Sequence, residues 1–249
     1  MEQIEVSVII PAYNEADRIE KNLELVLEYL VTEGIDAEVI VVSDASDDGT
    51  SEIVQSFLEK DKGPCPIRLF CQNYRQGKGA AVKRGMEEAS GRARLFMDAD
   101  LATPLDEISK LLPVLSRADV VIASRSLSSS RLKRKQSLLR QGMGWTFRQL
   151  LSIAGVHGIR DSQCGFKIFT AEAAREVFAL QRERGFAFDV ELLAIASRLG
   201  YKIEEVGVSW HDSGRSSVNP LFDPLKMFLA LLRIRWRCSF GDLKKCSLE

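Results

Sequence analysis

Two carboxylates stand two residues apart directly after a short run of mostly apolar residues. The run 94–97 reads Arg-Leu-Phe-Met, and Asp98-Ala99-Asp100 follows it. In an extended strand, side chains two residues apart point to the same face, so both carboxylates can reach one cation. Carboxylate oxygens are the ligands that Mg²⁺ and Mn²⁺ prefer. We predict a divalent-metal site at Asp98 and Asp100, with a solvated turn as the alternative.

Polar clusters also follow two other apolar runs. Asp44 comes after Val-Ile-Val-Val-Ser at 39–43, where its carboxylate can accept a hydrogen bond from a base or a ribose hydroxyl. Asp48 or Thr50 is suited to cap the helix that begins there. In the Gly-Lys-Gly loop 77–79, the glycines allow the backbone to approach a ligand and Lys78 supplies a positive charge. A plain turn is the alternative for this loop.

The predicted strands and helices that must position these groups alternate along the chain. We predict strands at 4–10, 38–43, 67–71, 94–98 and 119–124, and helices at about 15–33, 50–60, 79–90 and 105–116. Further helices are predicted at about 138–155, 189–199 and 221–238, and strands at 166–169 and 203–209. The second half has no sheet of its own, so the pattern predicts one α/β domain with a mainly parallel sheet. Ligands then bind at the carboxyl ends of the strands.

Composition excludes several classes of protein. The 249 residues carry a formal net charge of −1, with a sequence pI of about 6.2, so no global basic field favours nucleic acid. The five cysteines form no CxxC pair, and we expect reduced thiols and a cytoplasmic setting. We see neither a signal peptide nor the roughly 18 consecutive apolar residues that cross a bilayer.

These motifs together resemble one family. Residues 8–15 (Val-Ile-Ile-Pro-Ala-Tyr-Asn-Glu), Asp44 with 47–50, 77–79 and 98–100 are similar to the nucleotide-sugar half of family 2 glycosyltransferases. Residues 158–167 and 186–193 resemble the dolichyl-phosphate β-glucosyltransferases, sister to the polyprenyl-phosphate mannose synthases. The resemblance covers about residues 4–235. It implies the GT-A nucleotide-diphospho-sugar transferase fold, with a mainly parallel twisted sheet and helices on both faces.

The resemblance implies a role for each donor-site motif. The metal at Asp98 and Asp100 would bridge the donor's diphosphate, and Asp98 also counts among the donor-binding residues. Ala102 stands where mannose synthases carry a metal-binding glutamine, which favours the glucosyl branch. The nucleoside and diphosphate are expected at Pro11, Tyr13, Glu15, Asp44, Lys78 and Arg215.

The acceptor implied by the resemblance is a lipid monophosphate. The second pKa of a phosphate monoester is about 6, so its attacking oxygen is mostly ionised at neutral pH and needs no strong base. It needs a cationic clamp. The resemblance implies that Arg125 and Arg140, which match the family's phosphate-binding arginines, form this clamp. These belong to a serine-rich basic segment, 125–140, whose Arg131 and Arg134 are weaker candidates.

Four acidic or amide residues in the second half are candidates for the sugar and acceptor site. They are Asp161, Gln163, Asp189 and Glu191. Asp161 or Asp189 is the expected base if one is used, with capping of a helix start as the alternative for Asp189 and Glu191. His211 is expected to be a loop histidine.

The last predicted helix carries an apolar stripe beside a group of cations. The stripe consists of Leu221, Leu225, Phe228, Leu229, Leu232 and Trp236, with Lys226, Arg233 and Arg237 beside it. This pattern is typical of an amphipathic helix lying in a membrane interface, although packing on the domain is the alternative. We therefore divide the chain into a GT-A domain, 1–218, with halves at about 1–125 and 126–218, and a helix with tail, 219–249.

The sequence-based hypothesis is an inverting glycosyltransferase that depends on Mg²⁺ or Mn²⁺ and moves glucose from UDP-glucose to a polyprenyl phosphate. It would work peripherally on the cytoplasmic face of a membrane, with a membrane-protein partner possible in principle and no nucleic acid. The alternatives are a GDP-mannose-dependent mannosyltransferase, and a non-catalytic sensor or adaptor. Nucleotidyl transfer would require a glycine-rich, arginine-bearing turn after the first strand, where residues 11–15 read Pro-Ala-Tyr-Asn-Glu.

Overall fold

A computed structural model describes residues 4–60, 63–127, 129–132, 156, 158–211 and 223–240. The strands are β1 (Val6–Ala12), β2 (Ala37–Ser43), β3 (Ile67–Cys71), β4 (Ala93–Met97), β5 (Val120–Ser124), β6 (Arg131–Leu132), β7 (Phe166–Thr170), β8 (Ile203–Gly207) and β9 (Ser209–Trp210). The helices are α1 (Ile19–Thr32), α2 (Thr50–Lys60), α3 (Lys78–Glu88), α4 (Ile108–Leu111), α5 (Ala171–Leu180), α6 (Phe188–Arg198) and α7 (Asp223–Phe240).

Seven of these strands form one sheet in the order β3-β2-β1-β4-β7-β5-β8. The pairs β1–β2, β1–β4, β2–β3 and β5–β8 are parallel. Strand β7 is the exception, because it runs antiparallel to both β4 and β5. The short strands β6 and β9 pair separately. Strands β7 and β8 of the second half therefore extend the first sheet, which confirms the predicted mainly parallel sheet. The expectation that the second half has no sheet of its own is wrong in one detail, because β6 and β9 form a small two-stranded sheet.

Apolar layers cover both faces of the sheet. Alternate residues of β2 illustrate this, since Ile40 belongs to the cluster that includes α3, α5, α6 and α7, whereas Val41 belongs to the cluster that includes α1 and α2. Both are fully buried. Strands buried on two faces read as continuous β-branched runs, which is why residues 39–42 lack a polar alternation. On the first face, the Phe96 ring lies 5.8 Å from that of Phe188 and 6.3 Å from that of Phe169.

The described elements differ from the predicted ones at several places. Helix α5 was not predicted; Thr170 caps it by accepting a hydrogen bond from the Ala173 amide at 3.3 Å. The single helix predicted over 105–116 is α4 between two 3₁₀ turns, Leu105–Glu107 and Leu112–Ser116, and a proline stands at the start of the second turn. The helix predicted at 138–155 lies outside the described residues. The division at residue 218 stays a prediction.

A buried carboxylate joins three parts of the sheet near its amino end. Glu38, on β2, is 2% exposed and accepts hydrogen bonds from the Ser7 hydroxyl at 2.6 Å and from the Ser90 amide and hydroxyl, both at 2.7 Å. The Arg68 guanidinium adds an ion pair at 2.6 Å. Burial raises the pKa of Glu38, but these hydrogen bonds outweigh burial and leave the pKa below its ordinary value.

We predict that Glu38→Gln lowers the free energy of unfolding by about 1–3 kcal/mol at pH 7, because a charged acceptor of several hydrogen bonds is lost. The ionised carboxylate stabilises the fold above its unfolded pKa of about 4.3, and this stabilisation disappears as pH falls through the lower folded pKa. The variant should therefore approach wild type in acid. Urea unfolding at several pH values measures this, with the exposed Glu24→Gln as the control. Equal stability of the two variants at pH 7 would contradict the prediction.

Candidate functional site

The carboxyl ends of β3, β2, β1 and β4 lie side by side and are followed by backbone in the left-handed region. Asn14 follows β1 with φ 55°, Ala45 follows β2 with φ 54°, and Leu101 follows β4 with φ 51°. These are the non-glycine residues with positive φ in the described ranges. Gly77, in the loop after β3, has φ 100°. Strained backbone of this kind concentrates at functional sites, so this edge of the sheet is the candidate site.

The loops after β1 and β2 are held together by side chains. Asn14 donates to the Asp47 carboxylate at 2.7 Å, and Asp48 accepts from the Ala16 amide at 3.0 Å. The other oxygen of Asp48 accepts from the Thr50 amide at 3.0 Å, so Asp48 satisfies one of the free amides at the start of α2 from the position before Gly49. Burial raises the pKa of Asp48, but these hydrogen bonds outweigh it, and the net shift is downward. The two loops therefore form one connected rim.

Three of the predicted nucleoside residues lie on this rim. Pro11 is part of β1, and the ring of Tyr13 has the Arg75 guanidinium over it, 3.9 Å from the ring centroid. Glu15 forms an ion pair with Arg18. The tyrosine and the arginine offer a flat surface and a positive charge at the end of β1, which are groups that can hold a base and a phosphate.

Asp44 holds the loop that precedes α3. It is 3% exposed, and its two oxygens accept from the backbone amides of Gln76 at 2.7 Å and Gly77 at 2.8 Å. The carboxylate thus fixes the start of the Gly-Lys-Gly loop, a role that the sequence analysis did not assign to it. A direct contact with the nucleoside stays a prediction.

Lys78 and Asp98 bring this loop to the end of β4. The Lys78 ammonium forms an ion pair with the Asp98 carboxylate. Burial lowers the pKa of Lys78, but the neighbouring carboxylates of Asp98, Asp189 and Asp100 together outweigh burial, and the net shift is upward. A Cβ atom on Gly165 would lie only 2.1 Å from an oxygen of Asp98, so glycine at this position leaves the space that the carboxylate occupies.

Asp100 is held by the turn that follows β4. One of its oxygens accepts from the Ala102 amide at 3.0 Å, and Asn22 donates to the Ala99 carbonyl at 2.7 Å. The carboxylate of Asp98, in the space that Gly165 leaves for it, and that of Asp100 are oxygen ligands that fit a hard divalent cation. In the described ranges no three His, Cys, Asp or Glu residues are grouped to hold a metal, so such a cation would take its other ligands from phosphate or water.

Arg125 and Asp161 form a close pair at the end of β5. The guanidinium donates from Nε to Oδ2 at 2.7 Å and from Nη2 to Oδ1 at 2.9 Å, and the Arg125 amide also donates to Oδ2 at 2.8 Å. Burial raises the pKa of Asp161, but the bonds from Arg125 outweigh it and the pKa falls below its ordinary value. The guanidinium also lies 5.4 Å from the centroid of the Trp210 ring. Two of the five N–H groups of the Arg125 guanidinium donate to Asp161, and the others can bind an anion.

Lys167 is a buried cation that the sequence analysis missed. It lies on β7 with no exposed surface, and its ammonium donates to the Cys164 carbonyl at 2.6 Å and to Asp189 at 2.5 Å. It also lies 5.2 Å from the centroid of the Phe96 ring. Burial raises the pKa of Asp189, and Lys167 opposes this shift. A lysine inside the apolar strand Phe-Lys-Ile-Phe was the available signal, because an isolated charge is not buried without a partner.

The remaining candidates have different surroundings. The Nε2 atom of Gln163 is buried and has no hydrogen-bond partner among the described residues, so it can receive a ligand oxygen. Glu191 instead accepts from the amides of Arg182 at 3.0 Å and Glu183 at 2.6 Å. His211 donates its backbone amide to the Ala102 carbonyl at 2.8 Å. Arg134, Arg140 and Arg215 lie outside the described residues.

The chain is similar in sequence to known proteins. The family model described as Glycosyl transferase family 2 matches residues 7–178. A dolichyl-phosphate β-glucosyltransferase of Trichomonas vaginalis is 37% identical over 93% of this chain and 71% of its own length. The dolichyl-phosphate β-glucosyltransferase of Dictyostelium discoideum is 35% identical over 98% of this chain and 78% of its own.

Solved structures match the fold. Glucosyl-3-phosphoglycerate synthase from Mycobacterium tuberculosis, crystallised with Mn²⁺, UDP and phosphoglyceric acid, gives a TM-score of 0.67 at 22% identity, covering 96% of this chain and 80% of its own. Mannosyl-3-phosphoglycerate synthase from Rubrobacter xylanophilus gives 0.68 at 16% identity, covering 99% and 79%. The predicted GT-A fold is confirmed.

The buried pair Lys167–Asp189 generates a stability prediction. We expect Lys167→Met to lower the free energy of unfolding by about 3–5 kcal/mol, because it leaves Asp189 buried without its cation. The double variant Lys167→Met/Asp189→Leu should be more stable than the single variant, since it removes both charges. Urea unfolding measures both, with the exposed Lys202→Met as the control. A double variant less stable than the single one would contradict this account.

Proposed function

Because the chain belongs to glycosyl transferase family 2, we propose that it transfers glucose from UDP-glucose to a polyprenyl phosphate of the dolichyl type. The family makes it a glycosyltransferase. The donor and acceptor are proposed from the dolichyl-phosphate β-glucosyltransferases that it matches over most of their length. The observation that carries the proposal is the juxtaposition of the Arg125 guanidinium with the two carboxylates Asp98 and Asp100. Strand β7 pairs with both β4 and β5, so the segment before it, with Asp161 and Gly165, lies between Asp98 and Arg125.

The donor would lie across the ends of β1, β2 and β4. Tyr13 and Arg75 form the rim for the nucleoside, and Asp44 orients the loop whose Lys78 faces the diphosphate. Asp98 and Asp100 would hold Mg²⁺ or Mn²⁺, as the UDP complexes of the M. tuberculosis fold neighbour with either ion support. When bound, the cation would neutralise charge on the departing diphosphate.

The acceptor phosphate would bind to Arg125. A phosphate oxygen attacks the anomeric carbon of glucose, the bond from that carbon to the diphosphate oxygen breaks, and UDP leaves. A single displacement of this kind inverts the anomeric configuration. The dianion needs no proton removed, so in this proposal Asp161 and Asp189 hold Arg125 and Lys167 and do not act as bases. Arg140 and Arg215 remain predicted partners of the acceptor and diphosphate.

The buried amide of Gln163 is the side chain that we assign to the sugar. Its Nε2 donor is without a partner among the described residues, and a hydroxyl of glucose would supply the missing acceptor. The GDP-mannose alternative has no comparable support, since Ala102 stands in place of the metal-binding glutamine.

Helix α7 is the proposed contact with the lipid surface. Phe228, Leu229, Leu232 and Trp236 are 38%, 47%, 43% and 66% exposed, whereas Ala230, Leu231 and Ile234 are buried against the domain. Both alternatives for this helix are thus supported, on different faces. Within the described ranges, no helix has the length and apolar character needed to span a bilayer. We propose peripheral attachment at the cytoplasmic face, where a nucleotide sugar would be available.

Turnover tests the proposed function directly. Purified protein with UDP-glucose, a short polyprenyl phosphate and Mn²⁺ should form a glucosylated lipid, and GDP-mannose should give at least tenfold less product. We predict that Gly165→Ala lowers kcat/KM at least tenfold, because the added Cβ displaces the Asp98 carboxylate. Gly185→Ala is the matched control, since a Cβ there meets nothing within 4 Å.

The outcomes distinguish the alternatives. Faster transfer from GDP-mannose would indicate the mannosyltransferase. Binding of UDP-glucose with Mn²⁺, but no product with any acceptor, would favour the non-catalytic sensor. Equal activity of the two glycine variants would contradict the assignment of Asp98.

The apolar stripe of α7 generates a second prediction. The variant Leu232→Ser/Trp236→Ser should bind phospholipid vesicles with at least tenfold lower affinity, because both exposed side chains lose their apolar surface. Co-sedimentation with anionic vesicles measures this. Val31→Ser is the control, since Val31 is 53% exposed on α1. Unchanged vesicle binding of the double variant would exclude α7 as the attachment surface.

A further inference from the structure

Helix α7 also contacts the segment that supports the donor loop. Arg237 lies on the same side of α7 as the buried Ala230 and Ile234, and its side chain is 20% exposed. Its Nη2 atom lies 2.6 Å from an oxygen of Glu183 and 3.0 Å from an oxygen of Glu191. One guanidinium therefore joins two carboxylates that belong to different parts of the chain.

Both carboxylates help to fix the position of the segment 181–185, which lies between α5 and α6. Glu183 belongs to the segment itself. Glu191, on α6, is 3% exposed and its second oxygen accepts from the backbone amides of Arg182 and Glu183. Arg237 thus neutralises the group that fixes the segment and attaches the segment to α7.

The segment in turn supports the Gly-Lys-Gly loop through hydrogen bonds to the backbone of Gly79. The Gly79 amide donates to the Arg184 carbonyl at 2.7 Å, and the Gln181 side chain donates to the Gly79 carbonyl at 2.9 Å. A Cβ on Gly77 would lie 2.5 Å from the Arg184 carbonyl oxygen, and one on Gly79 would lie 2.7 Å from the Glu183 carbonyl oxygen. The two glycines are therefore required by this contact, and the position of Lys78 between them depends on where the segment lies.

The opposite side of the segment is partly open. A cavity of about 610 Å³ borders it, lined on the segment's side by Arg182, Glu183 and Arg184 and on the other by residues that include Gln72 and Gln76. The segment is therefore held by its contacts with the neighbouring helices: Glu191 and Arg237 bind it as described, Arg233 lies 3.3 Å from Glu183, and Lys83 donates to the Gln181 carbonyl at 3.0 Å.

We propose that Arg237 is a positioning residue for donor binding, which sets the Gly-Lys-Gly loop through Glu183 and Glu191. The inference rests on the proposed donor site, and it adds a residue 139 positions beyond Asp98 on a helix that contributes no side chain to that site as proposed. Loss of Arg237 leaves the buried Glu191 without this cation and leaves Glu183 with the more exposed Arg233, so the segment moves away from Gly79 and Lys78 is misplaced.

The test compares donor and acceptor parameters of Arg237→Met. We expect the Kd of UDP with Mn²⁺, measured by titration calorimetry, and the KM for UDP-glucose to rise about tenfold. The KM for the polyprenyl phosphate should stay within twofold of wild type. Arg237→Lys, which keeps the charge, should restore most of the affinity for UDP. The exposed Arg175→Met is the control for loss of a cation and should match wild type.

A second variant and a stability measurement keep the test decisive. Glu183→Gln retains the size of the side chain and weakens its pairing with Arg237, so it should raise the Kd of UDP in the same direction. Unchanged UDP binding in Arg237→Met would overturn the inference, as would equal increases in both KM values with a loss of stability. Failure of wild type to bind UDP with Mn²⁺ would instead refute the proposed donor site.

Discussion

The antiparallel course of β7 is the constraint on which the site depends. A parallel strand between β4 and β5 would carry its carboxyl end, rather than its entry, to the edge where Asp98 lies. Because β7 runs the other way, the segment that precedes it reaches this edge. Asp161 thereby meets Arg125, and Gly165 comes against Asp98. One reversed strand therefore joins the donor half of the domain to the acceptor half without a second sheet.

The contacts of the buried Lys167 stabilise this arrangement. A cation in the centre of the sheet is unfavourable unless it has partners, and Lys167 donates to the Cys164 carbonyl and to Asp189 while lying near the Phe96 ring. These contacts connect the entry of β7 with the start of α6. The ion pair with Asp189 offsets the cost of burying Lys167. Together with the bond to the Cys164 carbonyl, it holds the segment before β7 against α6, the helix that carries Glu191.

Local patterns predicted what depends on nearby residues, and missed what depends on backbone packing. The strand ends at Asp44 and Asp98 were predictable because β-branched runs and polar clusters alternate at short range. The direction of β7 was not predictable, because nothing in the composition of Phe166–Thr170 distinguishes an antiparallel strand from a parallel one. Helix α5 was missed because it follows β7 without an intervening loop, so only the Thr170 cap marks its start.

The Gly-Lys-Gly loop shows how one pattern can have two physical causes. Glycines beside a lysine are expected where backbone approaches a phosphate, and this was the predicted reason for Gly77 and Gly79. In the structure, the crowding comes from the chain itself, since the carbonyls of Glu183 and Arg184 occupy the space that side chains would need. The two causes are compatible, because a loop held by backbone on one side presents its lysine on the other. Glycines in a donor loop can therefore be required by the segment that packs against the loop as well as by the ligand that the loop would bind.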